Sequence, residues 1–424
     1  MHDTYDCIVL GGGPAGTTTA ALTARSGLRT LLVEREKVPR FHVGEVVLPA
    51  ACGTLEKLEL MSALEESRFV RASGMQLLGH TGQPLLQVPY AEPQGGRNSR
   101  SWHVVRSEFD AMLLEHAARW GAECVDRTTA RQVLFDGERA YGVRLETQQG
   151  ASREVRARVV VDATGQNALL ARQLGFVEPH PRLKNVAIWG YYRGARRDGG
   201  EHGCYTTTLL RTEQGASWFW FVPLPDDMTS IGVVADRDRV LAEGSQSAGV
   251  FEDELVKCPA LVERLIHAEL VSHFRVMRDF SYRTARQAGD GWVLVGDACG
   301  YVDPILSASV HLSLASGELA AEAIVDACHS GDVSAQSLGR WTPGYTAALT
   351  RLEQLALALY TPDFRLDDFL DKHPQHVGPL ADLLMGHVLC NAGDSVLAEM
   401  KALRGPEPGS GAPNDPTTNE GSAP

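Results

Sequence analysis

Asp6-Cys-Ile-Val-Leu-Gly-Gly-Gly-Pro-Ala-Gly16 decides the fold. A short apolar strand runs into a G-x-G-x-x-G turn made by Gly11, Gly13 and Gly16, with Pro14 and Ala15 inside it. A small-residue, helix-compatible stretch follows from Thr17 to Ser26, and a second apolar run, Thr30 to Val33, ends in Glu34. The pattern is a βαβ unit with an acidic residue 18 positions beyond Gly16. In such a unit the first glycine permits the tight turn, the second lets the backbone approach a pyrophosphate, and the third lets helix and strand pack closely. The helix N-terminus turns its positive end and its free N–H groups toward the phosphates. Glu34 can accept two hydrogen bonds from an adenosine ribose. The N-terminal segment therefore reads as a dinucleotide site.

The rest of the chain bounds what surrounds that site. Its 424 residues suggest two or three domains, or one large α/β body with insertions. A formal net charge of −13 argues against a nucleic-acid partner, which would need clustered Lys and Arg. No run approaches 18 uncharged apolar residues, so no membrane span is expected, and the chain enters its first strand without a signal peptide. The eight cysteines form no C-x-x-C pair, which predicts neither a metal site nor a disulfide framework and suits a reduced, cytoplasmic protein. Residues 405–424 carry almost no apolar side chains and are expected to be a disordered tail.

Two further strand-end motifs choose the dinucleotide. Arg158-Val-Val-Val-Asp-Ala-Thr-Gly165 reads as a buried strand ending at Asp162 and Gly165. Gly291-Trp-Val-Leu-Val-Gly-Asp-Ala298 ends at Asp297 and leads to Asp303-Pro304 and a small-residue helix from about Ser307. Asp297 is placed to bind the ribityl chain of a flavin. The helix after Pro304 points its dipole at the pyrimidine ring, where negative charge collects on reduction. Arg106, at the start of another predicted helix, can reach the pyrophosphate. NAD needs only the first motif, whereas three motifs spread along the chain fit FAD.

In this order, the motifs resemble the flavin-dependent halogenases, a branch of the p-hydroxybenzoate-hydroxylase-type FAD monooxygenases. The resemblance rests on GGGPAG, Glu34-Arg35, Phe41-His-Val-Gly-Glu45 with Leu48-Pro49, Val105-Arg106 with Phe109-Asp110, DATG and GDA followed by DP, and covers about residues 5–325. Trp218-Phe-Trp-Phe-Val-Pro223 matches the family's W-x-W-x-I-P signature with Val for Ile. It implies an α/β fold: a Rossmann-like FAD-binding domain (1–79, 100–180, 275–332), a sheet-rich substrate domain (80–99, 181–274) and a C-terminal helical lid or docking segment (333–404) of two to four helices. The cofactor contacts it implies are Gly11, Gly13, Pro14, Ala15, Gly16, Glu34, Arg35, His42, Arg106, Asp162, Gly165, Asp297, Pro304 and Ser309. Glu45, Trp220, Pro304 and His311 are implied at the reacting centre, with Glu45 beside the isoalloxazine or else paired with Arg40. In the family, FAD reduced by NAD(P)H directly or by a separate flavin reductase reacts with O2 to give a C4a-hydroperoxyflavin.

Three segments depart from the halogenase pattern. In Phe69-Val-Arg-Ala-Ser-Gly-Met-Gln-Leu-Leu-Gly79, Ala72 stands where the family has a lysine that steers hypohalous acid, and Arg71 cannot offer a neutral amine near pH 7. Ser307-Ala-Ser-Val310 replaces the family's Ser-Thr-Gly-Val halide segment, and Val46 follows Glu45 where the family has Ser. These departures lead to the expectation of a monooxygenase that hydroxylates an electron-rich indole or phenol on a protein or carrier, as in relatives that hydroxylate a protein-bound Trp during tryptophylquinone maturation. The alternatives are halogenation of a tethered aromatic and a geranylgeranyl-reductase-like reaction without O2. Residues 196–203 are expected to be a mobile loop.

Overall fold

A computed structural model describes residues 1–90, 100–210, 217–238, 247–278, 280–361 and 364–403. The predicted tail lies outside the described residues. The first sheet runs Ala288–Gly289, Trp292–Leu294, Ser152–Asp162, Thr4–Leu10, Thr30–Val33, Glu123–Val125, parallel throughout except at the Ala288–Gly289 edge. Its central strands are covered on both faces, which is why they read as continuous apolar runs rather than alternating ones. An antiparallel ribbon, Thr128–Asp136 with Arg139–Thr147, continues from Ser152–Asp162. The helices Pro14–Arg25 and Ser309–Ser330 cross at backbone contact: a Cβ on Gly317 would lie 2.5 Å from the Ala15 carbonyl oxygen. Small residues on both helices make that approach possible.

The second sheet runs Glu269–Leu270, Asn185–Arg193, Met228–Asp236, Ser217–Pro223, Tyr205–Leu210, Gly74–Gly79, Pro84–Pro89, and Arg275–Arg278 also pairs with Asn185–Arg193. The two-residue period sorts its side chains cleanly. Phe219, Phe221, Ile231 and Val233 pack outward with Phe251 of the helix Ser247–Leu255, whereas Trp218, Val222, Ala187 and Trp189 face the core shared with the first sheet. Two expected boundaries are corrected here. Gly74–Gly79 pairs in parallel with Tyr205–Leu210, and Arg275–Arg278 pairs with Asn185–Arg193, so both segments belong to the second sheet. Long-range pairing of this kind leaves no local mark in the sequence.

Residues 333–403 carry five α-helical segments, Ala335–Leu338, Thr342–Tyr360, Leu366–Lys372, Val377–Leu384 and Asp394–Leu403, rather than two to four. They share the main core through Tyr345, Leu349, Leu352 and Leu355. The segment expected to be a mobile loop holds a 3-10 turn, Gly200–Cys204, and Asp198 there takes both Arg264, at 2.7 Å, and Gln76, at 2.7 Å.

Candidate active site

A cavity of about 770 Å³ opens at the C-terminal ends of the first sheet's parallel strands, where Leu10, Val33, Ala163 and Val295 line it, and runs on to Ala187, Trp189, Trp220 and Val222 of the second sheet. Open α/β sheets bind ligands at that strand end. The glycine turn forms part of the wall. Gly11 has φ +114°, and a Cβ there would strike the Ala163 carbonyl; a Cβ on Gly16 would strike the Gly11 carbonyl. A Cβ on Gly13 would meet only Arg40 Nη2, at 3.8 Å, so the space above Gly13 belongs to the cavity. The helix Pro14–Arg25 starts there with no side-chain cap, leaving its first N–H groups for a ligand.

A chain of alternating charges braces this end. Glu34 accepts the Gly12 and Glu36 N–H groups at 2.9 and 3.0 Å and pairs with Arg40 at 3.4 Å. Arg40 reaches Asp110 at 2.6 Å, and Asp110 holds Arg106 through two bonds, at 2.9 and 3.1 Å. Burial alone would raise the Asp110 carboxyl, but the Arg106 and Arg40 guanidinium groups outweigh it and hold it below the usual carboxylate range. Arg106 spends Nη1 on the carbonyls of Val43 and Gly44, at 2.6 and 3.2 Å, and still lines the cavity. His42 keeps an exposed side chain at the cavity wall, yet its partly desolvated setting and the Arg106 charge push the imidazole down to about 4.

At the other end, Asp297, Pro304 and Ser309 line the cavity beside the start of the helix Ser309–Ser330, which has no side-chain cap. The Asp297 carboxylate has no hydrogen-bond partner among the described residues, and burial pushes it up to about 7. Such a carboxylate fits a ligand with hydroxyl donors. Together with the open space over Gly13, it makes the residues present fit FAD, with adenosine toward Glu34, Arg35 and Thr128–Arg131 and the flavin ring toward Pro304 and Ser309. Glu45 stands between this end and the second sheet: Oε1 accepts the Tyr191 hydroxyl at 2.7 Å, and Oε2 accepts Gly44 N–H at 3.2 Å. Burial raises its pKa against these bonds and Arg106. It makes no ion pair with Arg40, whose partners are Glu34 and Asp110.

Gly11, Gly13, Pro14, Ala15, Glu34, Arg35, His42, Glu45, Arg106, Gly165, Trp220, Asp297, Pro304 and Ser309 all line this cavity; Gly16, Asp162 and His311 do not. Gly16 lies at the helix–strand contact. Asp162 is fully buried and spends its carboxylate on Thr164 N and Oγ1 and on Leu170 N, at 2.9, 2.6 and 2.7 Å. It caps its own turn and does not line the cavity. His311 points away from the cavity, against Gly386, where burial pushes its imidazole down to about 4. Proton transfer to a flavin is therefore not its place. Ala72 is buried outside the cavity, its N–H bonded to Ser101 O at 3.0 Å, and no lysine lines the cavity among the described residues. Arg71 lies over Trp102.

The sequence reading missed Tyr191, Trp189 and Arg275, and it offered Arg40 to Glu45 rather than to Glu34 and Asp110. Arg106 and Asp110 stand four apart on one helix, so their pairing was legible. Trp189 and Tyr191 alternate on a strand, but nothing local links Tyr191 to Glu45, 146 residues away.

Comparison with known proteins agrees with this geometry. Residues 6–174 match the family model of FAD-dependent oxidoreductases. A flavin-dependent halogenase of Penicillium aethiopicum is 31% identical over 376 residues, covering 81% of this chain and 69% of that protein. The chain belongs to the flavin-dependent halogenase family. Among its relatives is a 1H-pyrrole-2-carbonyl-[peptidyl-carrier protein] chlorinase of Pseudomonas fluorescens, 27% identical, with 95% of this chain and 93% of that one covered. The structure of a flavin-dependent brominase superposes with a TM-score of 0.84 at 27% identity, over 94% of this chain and 98% of that one. As a halogenase-family flavoprotein, the chain uses FAD and O2-dependent flavin chemistry. No helix among the described residues is long and apolar enough to cross a membrane, and all eight cysteines are free.

Proposed function

We propose that this halogenase-family protein oxidises an electron-rich aromatic ring held on a carrier protein, with halogenation as the leading reaction. One observation carries the reading: the cofactor cradle and an aromatic-walled chamber are parts of a single cavity. Bound FAD, reduced by NAD(P)H or by a separate flavin reductase, supplies the electrons that activate O2. The chain's own residues do the rest. Trp189, Trp220 and Val222 wall the chamber with apolar surface, which excludes water and fixes a flat ring. Arg106 and the uncapped helix starts hold negative charge. The relatives that act on pyrrole-2-carbonyl carrier proteins support halogenation over hydroxylation and support the tether.

A second reading, oxygen transfer to an indole or phenol, is favoured by a specific feature: Ala72 is buried away from the cavity and no lysine lines it among the described residues. One assay separates the two. FAD-loaded protein is given reductant, labelled O2 and either a pyrrole-2-carbonyl-loaded carrier protein or a Trp-containing peptide, with and without chloride or bromide. A halogenated product that requires halide supports the leading reading. A halide-independent product carrying labelled oxygen replaces it with the second. Oxidation of the flavin with an unchanged aromatic in every arm overturns both.

A further inference from the structure

Three polar side chains in or behind the chamber wall, Glu45, Trp189 and Tyr191, stand together. Trp189 and Tyr191 stand two residues apart on Asn185–Arg193, so their side chains leave the same face of the sheet. The Trp189 ring is 5% exposed and its Nε1 has no hydrogen-bond partner. Its neighbours differ: Trp218 Nε1 donates to the Tyr360 hydroxyl at 2.7 Å, and Trp220 Nε1 to Ser230 Oγ at 3.2 Å. Trp189 lies near enough to the Tyr191 hydroxyl to affect its ionisation, yet the geometry of a hydrogen bond is not met. Tyr191 instead donates to Glu45, while Phe41 packs edge-on against its ring at 6.0 Å.

Glu45 is therefore held from behind by Tyr191 and borders the cavity, although it is itself buried. A carboxylate offers about four lone-pair sites, and the donors on Glu45 are Tyr191, its neighbour Gly44 and its own backbone N–H. It lines the cavity together with Trp189 and Trp220. The geometry points to Glu45 as the acceptor for a ring N–H or O–H of the aromatic substrate, with Tyr191 fixing the carboxylate from behind and the Trp189 ring forming the wall beside it. The assignment rests on the aromatic-substrate reading above and adds what that reading leaves open, namely which rings are admitted. A ring attacked by an electrophile gains positive charge, and the hydrogen bond from its N–H or O–H to a buried carboxylate strengthens as it does. A ring whose donor is blocked by alkylation leaves that acceptor unpaired and crowds it.

Calorimetric titration of the FAD-loaded, oxidised protein with indole and 1-methylindole tests this. Wild type is expected to bind indole at least about tenfold more tightly than 1-methylindole. Glu45→Ala is expected to bind the two within about threefold while keeping its flavin content and absorption spectrum. Tyr191→Phe should narrow the preference. Equal binding of indole and 1-methylindole by wild type, binding of neither, or a preference that survives Glu45→Ala overturns the assignment. So does loss of flavin from Glu45→Ala with the preference intact, since Glu45 would then serve the cofactor. Should Glu45→Ala not fold, Tyr191→Phe and the wild-type comparison still decide. Selective binding without any product in the reaction assay breaks the functional reading alone, whereas turnover of indole and 1-methylindole alike breaks this assignment alone.

Discussion

In the cofactor cradle, main-chain atoms and a run of paired charges define the wall; in the aromatic chamber, distant in sequence but continuous in space, side chains do. The cradle's dimensions follow from places where a Cβ has no room, at Gly11 and Gly16, and from Glu34, Arg40, Asp110 and Arg106 bonded in series. The chamber's follow from the rings of Trp189 and Trp220, whose centroids lie 6.2 Å apart, and from Gly232, where a Cβ would strike the Trp220 ring. Backbone-defined sites are read by the same pattern in every protein that uses them. Side-chain-defined sites are rewritten by single substitutions. The difference explains why a shared cofactor and a divergent substrate coexist in one cavity.

The contrast breaks most readily at Asp110. Asp110→Asn leaves Arg106 buried without its counter-charge and should cost about 3–5 kcal/mol, measured by chemical denaturation. Because the Asp110 carboxyl is held below its ordinary value of about 3.9, its contribution is present above pH ~4 and fades as pH falls through the lower folded value. The advantage of wild type over the variant should thus persist from pH 8 to 5 and shrink in stronger acid.

Asp303 sharpens the comparison with the opposite sign. Burial pushes it up to about 6 against hydrogen bonds from Ile305 N, Asn185 and Tyr360. A raised carboxyl costs stability as pH climbs from the unfolded value, ~3.9, through the folded one, so wild type should lose ground to Asp303→Asn between pH 4 and 7 by up to about 3 kcal/mol. A difference that grows in wild type's favour over that range would contradict the assignment.

Two glycines separate folding from binding. Gly16→Ala forces a Cβ against the Gly11 carbonyl and should destabilise by about 1–3 kcal/mol, with flavin lost as a consequence. Gly13→Val places its side chain in open cavity and should leave the melting behaviour of the flavin-free protein near wild type while abolishing flavin retention. Equal loss of stability in both would mean that the turn is one packed unit. The smallest effect is expected in the chamber: Ser230→Ala removes the acceptor of the Trp220 N–H and should cost about 1 kcal/mol without changing flavin content.

Legibility in the sequence follows the same division. The glycine turn, Glu34 and the strand end at Asp297 could be read because strand, turn, helix and acid occur within a few tens of residues. Asp162 was misread by analogy with Asp297: both end a parallel strand, but Asp162 turns back onto Thr164 and Leu170. Gly74–Gly79 was assigned to the wrong sheet because its parallel partner, Tyr205–Leu210, is more than a hundred residues away. Glu45 with Tyr191 is a contact of the same long-range kind, and Trp189 stands out only once its N–H is seen to lack a partner.

The Tyr360 hydroxyl receives the Trp218 indole N–H at 2.7 Å and sits 3.0 Å from both Asp303 oxygens. One oxygen atom is thereby common to three stretches of chain: the end of the longest C-terminal helix, the tryptophan strand of the second sheet, and the turn that leads into Pro304. The turn before Pro304 and the strand that carries Trp218 and Trp220 thus share one anchoring atom, supplied by the C-terminal helical segment.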